Sequence, residues 1–113
     1  MTESCDLSNK DCVPCRGGVA PLEAAEAQAL LTQLDGWRIE GVTLVKRLEF
    51  KGFAKATYHA NLAAFLGDKL GHHPDISFGW GYCQVIFTTH EAGGLTENDF
   101  ICAAKFDRMC AGG

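Results

Sequence analysis

The sequence lacks a long apolar segment, a basic excess and a recognisable leader, and each absence excludes a class of protein. No apolar run approaches the roughly 20 residues that a membrane-spanning helix needs. The formal net charge of -4 disfavours a surface built to bind nucleic acid. The first residues lack the basic and apolar regions of a secretory signal peptide. We therefore expect a cytoplasmic protein that binds neither a membrane nor, directly, a nucleic acid.

The composition is that of one globular domain. The chain has 113 residues, of which 47% are hydrophobic and 21% are charged. A chain of this length can bury a core without disulfide bonds. Residues 1–19 are polar, contain glycine and show no periodicity, so they are predicted to form a flexible, cysteine-containing N-terminal arm. Residues 20–113 are predicted to form the single domain.

The six cysteines are expected to be reduced thiols, because no secretion signal is present. Cys83 and Cys102 lie in apolar patterns that are typical of small core residues. In the arm, Cys12 and Cys15 form a CxxC pair, and Cys5 lies upstream. One such pair cannot complete a four-ligand zinc site, although Cys5 and a remote histidine could supply the missing ligands. We interpret the arm as carrying free thiols and keep a metal or redox site as the alternative.

The periodicity of the chain predicts helices and strands in the order α-β-β-α-β-β-α. Three segments have helical spacing: Pro21 to Leu34, Phe53 to Leu70, and Glu97 to about Cys110. Four segments are predicted strands: Trp37 to Glu40, Thr43 to Phe50, Ile76 to Trp80, and Tyr82 to Thr89. This order favours an α+β fold, in which a four-stranded antiparallel sheet carries three helices on one face. The uncovered face or the sheet edges are then available to another subunit.

Three of the four histidines lie in two short segments, His72-His73-Pro74 and Thr89-His90-Glu91. If the last two strands pair as a hairpin, the start of the third strand lies near the end of the fourth. That pairing brings His72 and His73 towards His90. Because imidazole changes charge near neutral pH, such a cluster is suited to moving protons. The fourth histidine, His59, is interpreted as structural or exposed.

Each of these features also has a plainer interpretation. The histidine pair could be surface residues without chemistry, and three imidazoles could instead bind zinc, although no HExxH-like spacing is present. The carboxylate of Asp99 could cap the last helix at Thr96, which is the simpler reading, or it could orient His90. Asp68 could tune a histidine or be solvated. Trp80 could wall a flat heterocycle or belong to the core.

Together these residues resemble the pterin-4a-carbinolamine dehydratase family. The resemblance extends from about Leu22 to Arg108, and neither histidine segment would be specific alone. It is carried by Asp68, His72-His73-Pro74, Trp80, the stretch from Thr89 to Phe100 with His90 and Asp99, and by Gly36-Trp37 and Phe50-Lys51-Gly52-Phe53. The cysteine-containing arm is not part of the common motif.

The resemblance implies the same α+β fold and a homo-oligomer, either a dimer or a tetramer built of dimers. It implies a 4a-hydroxytetrahydrobiopterin dehydratase, a hydro-lyase that converts the 4a-carbinolamine to quinonoid dihydropterin and water in tetrahydropterin recycling. No metal and no organic cofactor are expected. Two alternatives stay open: a protein-binding module or transcriptional coactivator that uses the oligomerisation helices, and a role in molybdopterin metabolism.

The resemblance also implies which residues form the site. His72, His73 and His90 are the expected catalytic residues, with His73 as the preferred acid/base group, and Asp68 and Asp99 support them. The pterin is expected to contact two segments and one aromatic residue: Gly71, His72, His73 and Pro74; Thr88, Thr89, His90 and Glu91; and Trp80. Two or three imidazoles on a rigid rim can protonate the leaving hydroxyl and take a proton from a ring nitrogen.

Overall fold

The computed structural model describes residues 7–10 and 20–112. The predicted order of elements is confirmed within these residues, and most strand bounds agree with the prediction to within about two residues. The helices are α1 (Ala24–Leu31), α2 (Ala54–Leu70) and α3 (Glu97–Gly112), and the strands are β1 (Trp37–Glu40), β2 (Thr43–Glu49), β3 (Asp75–Gly79) and β4 (Tyr82–Phe87). Short 3-10 turns cover Leu7–Asn9 and His90–Ala92.

The four strands form one antiparallel sheet in the order β1-β2-β4-β3. Alternate residues of each strand face the helices, and the register places Leu44 opposite Phe87 in the buried layer. On α2 the small residues Ala56, Ala60 and Ala63 are buried, which lets the helix approach the sheet closely. The predicted fold, with helices covering one face of an antiparallel sheet, is therefore confirmed.

Lys46 lies on the inward side of β2, on the same side of the strand as Leu44 and Leu48. For this reason the sequence of β2 does not alternate cleanly between hydrophobic and polar residues. Its Nζ donates to a carboxylate oxygen of Asp107 at 2.8 Å, and the indole nitrogen of Trp37 donates to the same carboxylate at 3.0 Å. Both ionised side chains are mostly shielded from water. A buried charge is tolerated when it is paired and hydrogen-bonded, so this group joins α3 to the sheet.

Several local expectations were wrong. Helix α1 begins at a capping box formed by Glu23 and Glu26, ends at Leu31 and buries Ala27. The helical spacing of this segment also predicted that Ala25 and Ala29 would face the core, but both are exposed.

The helical spacing of α2 predicted an apolar face that includes Tyr58 and Phe65, but both residues are exposed. Tyr58 is 49% exposed and Phe65 is 64% exposed. Both lie on the side of the helix that faces away from the sheet, so the hydrophobic pattern of α2 is broader than the surface it buries within one chain.

The cysteines that the structure describes are inert core residues. Cys83 and Cys102 are fully buried, as predicted. Burial raises the pKa of the Cys83 thiol, and it raises the pKa of the Cys110 thiol to about 11. A thiol with a raised pKa is protonated at neutral pH and is a poor nucleophile. The interpretation of Cys5, Cys12 and Cys15 lies outside the described residues.

Candidate active site

Helix α2 ends in a turn that fixes the direction of the His72-His73-Pro74 segment. Gly71 adopts the left-handed conformation with φ of +70°, and its N–H donates to the carbonyl of Asp68. The N–H of His72 donates to the carbonyl of Gly67 at 3.0 Å. Glycine adopts this backbone conformation without the steric cost that a Cβ brings. The turn therefore sends both histidines from the helix end towards the start of β3.

The histidine segment packs directly against Gly67 of α2. A Cβ placed at this position would lie 2.4 Å from Cδ of Pro74 and 3.2 Å from the carbonyl oxygen of His72. Both distances are too short for an ordinary contact, so the absence of a side chain at Gly67 allows the segment to lie against α2. In the sequence, Gly67 is only one of several small residues at helical spacing in α2, with Ala60 and Ala63.

We expect Gly67→Val to displace the histidine segment. Forcing extra atoms into a packed contact typically costs about 1–3 kcal/mol, and the displacement should also lower catalytic activity. Ala64→Val is the matched control, because Ala64 lies three residues earlier on the same helix and is exposed. Thermal unfolding and activity of the two variants should be compared. Equal behaviour of the two would show that Gly67 does not support the turn.

The carboxylate of Asp99 joins the two histidine segments. Its Oδ1 lies 2.6 Å from Nε2 of His72. Its Oδ2 accepts from the hydroxyl of Thr89 at 2.8 Å and from the N–H of Thr96 at 2.9 Å. Asp99 is fully buried, and such a carboxylate is stable only when its oxygens are hydrogen-bonded. The expected cap at Thr96 is confirmed, and the histidine that Asp99 contacts is His72 rather than His90.

His72 is the enclosed histidine of the cluster. Its side chain is 13% exposed, and its ring stacks on Phe87, with centroids 6.1 Å apart and planes 14° from parallel. When Nε2–H is donated to Asp99, the neutral ring carries its lone pair on Nδ1. The carboxylate therefore selects one tautomer and the ring stack restricts rotation.

His73 is the open histidine of the pair. Its side chain is 71% exposed, and Nε2 lies 4.0 Å from Oδ1 of Asp68, whose side chain is 89% exposed. At this separation and exposure the ion pair is screened by water and contributes little to stability. The ring of His73 is therefore accessible to a ligand.

His90 lies on a short turn after β4, not at the strand end as expected. The N–H of Gly93 donates to the carbonyl of His90 at 3.1 Å, and Gly93 adopts φ of +73°. The side chains of His90 and Glu91 are exposed. Thr89, the residue before His90, donates to the same carboxylate that contacts the His72 ring. The Asp99 carboxylate therefore links the His90 segment to His72.

The side chains of Thr88 and Thr89 are both engaged in hydrogen bonds within the chain. Thr88 donates its hydroxyl to the carbonyl of Val42 at 2.5 Å, so it ties the site segment to the turn between β1 and β2. Thr89 is fully buried and is occupied by Asp99 and Thr96, so its side chain supports the site from behind.

Trp80 does not join this cluster within one chain. It lies in the β3–β4 turn and is 70% exposed, whereas His73 precedes the other end of β3. The five-residue strand between them alone spans roughly 15 Å. The family resemblance placed Trp80 among the site residues, but an extended strand holds its two ends apart.

Among the described residues, no group of three or more histidine, cysteine or acidic side chains is arranged to hold a metal ion. None of the described helices has the length and apolar character needed to cross a bilayer. A cavity of about 280 Å³ in this structure is mostly apolar, and no histidine lines it. It lies between α1, the β1–β2 turn and the loop at Gly93–Leu95, and its walls include Leu22, Ile39 and Val42.

Comparison with known proteins identifies the family. Residues 20–109 match the sequence profile described as pterin 4 alpha carbinolamine dehydratase. The chain belongs to the pterin-4a-carbinolamine dehydratase family. A relative from Nitrosospira multiformis is 46% identical over 104 residues, which is 92% of each chain. One from Methylococcus capsulatus is 46% identical over 111 residues, covering 96% of this chain and 97% of its own. Both carry the provisional name pterin-4-alpha-carbinolamine dehydratase.

A solved structure shares the dehydratase fold. The Brucella melitensis protein, described as a transcriptional coactivator/pterin dehydratase, is 31% identical and superposes with a TM-score of 0.72. The match covers 79% of this chain and 97% of that one. The α+β architecture of this family member is therefore shared with an experimentally determined structure.

Three residues that support the candidate site were not predicted as site residues. Thr96 and Phe87 hold Asp99 and the His72 ring, and Gly67 holds the backbone turn. Thr96 gave a signal as the start of a capping box. Phe87 and Gly67 gave only the signal of core residues, because ring stacking and close backbone approach depend on tertiary packing.

Proposed function

We propose that this protein dehydrates a 4a-hydroxytetrahydropterin to quinonoid dihydropterin and water by histidine general acid/base catalysis. The observation that carries the proposal is the Asp99 carboxylate, which binds His72 and Thr89 and so draws together the segments that bear His73 and His90. Membership of the family supports the dehydratase activity. Regeneration of the tetrahydropterin is the pathway role that this product implies.

The chemistry needs one proton delivered and one removed. The lone pair of the ring nitrogen next to the hydroxyl-bearing carbon forms a C=N bond as the C–O bond breaks. The departing hydroxyl takes a proton and leaves as water, and a ring nitrogen loses a proton to a base. The two protons balance and the loss of water changes no oxidation state, so the reaction consumes no oxidant. A positioned imidazole supplies either role near neutral pH.

We assign the main acid/base role to His73, because its ring is accessible to a ligand while that of His72 is enclosed. His72 and His90 share proton transfer and orient the substrate. Asp99 holds the tautomer of His72, and Asp68 supports the site from beside His73. Backbone groups around Thr88 and Thr89 hydrogen-bond the pterin edge, and Gly71, Pro74 and Glu91 border it.

The direct test is the dehydration reaction. Purified protein should accelerate the decay of a 4a-hydroxytetrahydropterin well above the rate in buffer, followed by the ultraviolet absorbance of the quinonoid product. Preparations treated with a chelator should keep full activity, since the assigned groups need no metal. A rate equal to that in buffer would refute the proposed function.

We further propose that the protein is a homo-oligomer, either a dimer or a tetramer. Two features support this. Strand β3 ends the sheet in the order β1-β2-β4-β3, so one row of its backbone groups has no neighbouring strand among the described elements. Helix α2 exposes Tyr58 and Phe65, and large exposed apolar side chains on one helix are typical of an interface.

A protein-binding role is the second candidate, and the same surface of α2 favours it. The similar Brucella melitensis protein is described as a transcriptional coactivator as well as a dehydratase. A binding module of this kind would use α2 for a partner in place of a second copy. The histidine site would then be dispensable for that role.

We expect the double variant Tyr58→Ser/Phe65→Ser to shift the protein to a smaller species in sedimentation velocity. The shift follows because the variant removes two exposed aromatic side chains from the proposed interface. Val42→Ser is the control, since Val42 is 56% exposed but lies in the β1–β2 turn. An unchanged sedimentation coefficient would remove α2 from the interface. A partner that binds the wild type and His73→Ala but not the double variant would favour the binding role.

A further inference from the structure

A short segment near the N-terminus is packed against α3. The 3-10 turn Leu7–Asn9 is closed by the N–H of Lys10, which donates to the carbonyl of Leu7 at 3.1 Å. Leu7 is 1% exposed and belongs to the hydrophobic core. Burying a leucine side chain contributes about 1.5–3 kcal/mol, so the turn is anchored to the domain. We call residues 7–10 the strap.

The burial pattern of α3 shows that the strap is part of the domain. Six consecutive residues, from Asn98 to Ala103, are buried. A helix that packs on one side buries only residues spaced three or four apart. Helix α3 is therefore covered from more than one direction, by the sheet and α2 on one side and by the strap on another. The sequence predicted this region as part of a flexible arm because four residues carry no periodicity.

The strap reaches both ends of α3 through polar contacts. The Nζ of Lys10 lies 2.5 Å from a carboxylate oxygen of Glu97, in the first turn of the helix. Asn9 accepts from Arg108 at 3.0 Å, near the other end. The Lys10–Glu97 pair is part-exposed, so it adds little to stability by itself. Its position matters more, because Glu97 lies two residues before Asp99.

We propose that the strap positions the catalytic site, with Leu7 as its anchor and Lys10 as the contact that holds the first turn of α3. The chain of contacts runs from Lys10 to Glu97, along two residues of α3 to Asp99, and from Asp99 to His72. Because Asp99 is held by Thr89 and Thr96 as well, a shift of this turn moves the His72 ring relative to His73. Leu7 and Lys10 are thus positioning residues. This inference rests on the proposed function for its effect on rate.

The test compares the contacts that the strap makes with the two ends of α3. Lys10→Ala, alone and with Leu7→Ala, should lower kcat by about threefold to tenfold at a temperature where the variants are fully folded, since small misplacements of catalytic groups are costly. Lys10→Arg, which keeps the charge, should restore the rate. Asn9→Ala is the matched control, because it removes the contact at the other end of α3 and should leave kcat near that of the wild type.

A second measurement separates positioning from stability. The ¹⁵N chemical shifts of the His72 ring report its tautomer and its hydrogen bond to Asp99. We expect them to change in Lys10→Ala and to stay constant in Asn9→Ala. Unchanged His72 signals together with unchanged kcat, even if the melting temperature falls, would overturn the proposal and leave the strap a stabilising element. If the wild type has no dehydratase activity, the His72 signals still decide the question.

Discussion

His73→Ala should lower kcat for the dehydration by about 10² to 10⁴-fold. A positioned general acid or base contributes that much, which corresponds to roughly 3–5 kcal/mol of the activation barrier. Because the side chain of His73 is 71% exposed, its removal should leave the free energy of unfolding within about 0.5 kcal/mol of the wild type. The loss of rate would therefore come from chemistry rather than from unfolding.

The four histidines provide the controls for this experiment. His59→Ala should keep near wild-type activity, because His59 lies on α2, where its ring stacks on Phe50 and its Nδ1 contacts the carbonyl of Lys55. The activities of His72→Ala and His90→Ala should lie between those of His59→Ala and His73→Ala. If His73→Ala kept more than a tenth of the activity while His90→Ala lost it, the main acid/base role would pass to His90.

Asp68→Ala should have a much smaller effect than His73→Ala. The two side chains are 4.0 Å apart and both are largely exposed, so water screens their interaction. A large loss of activity in Asp68→Ala would therefore indicate that Asp68 touches the substrate itself. The pH dependence of kcat in this variant separates an effect on the charge of His73 from an effect on binding.

Local patterns in the sequence were sufficient to predict the fold. The alternation in β4, where Cys83, Val85 and Phe87 face the core, is a period that one strand displays by itself. The left-handed Gly71 and the following Pro74 end α2 at the expected residue. These signals depend on a few neighbouring residues and on backbone geometry, so they can be read without knowing what packs against them.

The site was predictable only in part, because its decisive contacts join distant residues. Strand pairing implied that His72 would approach the His90 segment, and the register of β3 with β4 agrees with that. The partner of Asp99 could not be inferred in the same way. His72 and Asp99 are separated by 27 positions, and the choice between His72 and His90 depends on how α3 lies across the sheet.

The environment of Lys46 shows the same limit. A lysine at an inward position weakened the hydrophobic alternation of β2, and only Asp107 and Trp37, on other elements, explain why it is stable there. The strap was missed for a related reason. Leu7 stands alone among polar residues, and a single apolar residue gives no periodic signal even when it is fully buried.

Asp99→Asn should lower kcat by about tenfold to 150-fold. The amide keeps the size of the carboxylate but replaces one acceptor oxygen with a donor. If its oxygen stays with Thr89 and Thr96, the NH₂ group faces Nε2 of His72, which must then give up its proton and become the acceptor. A hydrogen bond to a charged group contributes roughly 1.5–3 kcal/mol, which converts to the stated range of rates.

Variants of the threonine partners distinguish the tautomer of His72 from the cap of α3. Thr89→Val removes one donor to Asp99 but leaves the contact with His72, so it should lower stability more than rate. Thr89→Ser keeps the hydroxyl and should resemble the wild type. Asp99→Asn should lower the rate more than the stability. Its amide oxygen can still accept from the N–H of Thr96 and preserve the start of the helix.

The ¹⁵N spectrum of His72 decides whether Asp99 acts as described. In the wild type, Nε2 should carry the proton, and in Asp99→Asn the proton should move to Nδ1. A variant that retains full activity with the tautomer reversed would show that the Asp99 contact is only structural. If the tautomer stays the same and activity still falls, the negative charge of Asp99 matters rather than the orientation of the ring. The buried carboxylate would then act by stabilising positive charge on His72 during proton transfer.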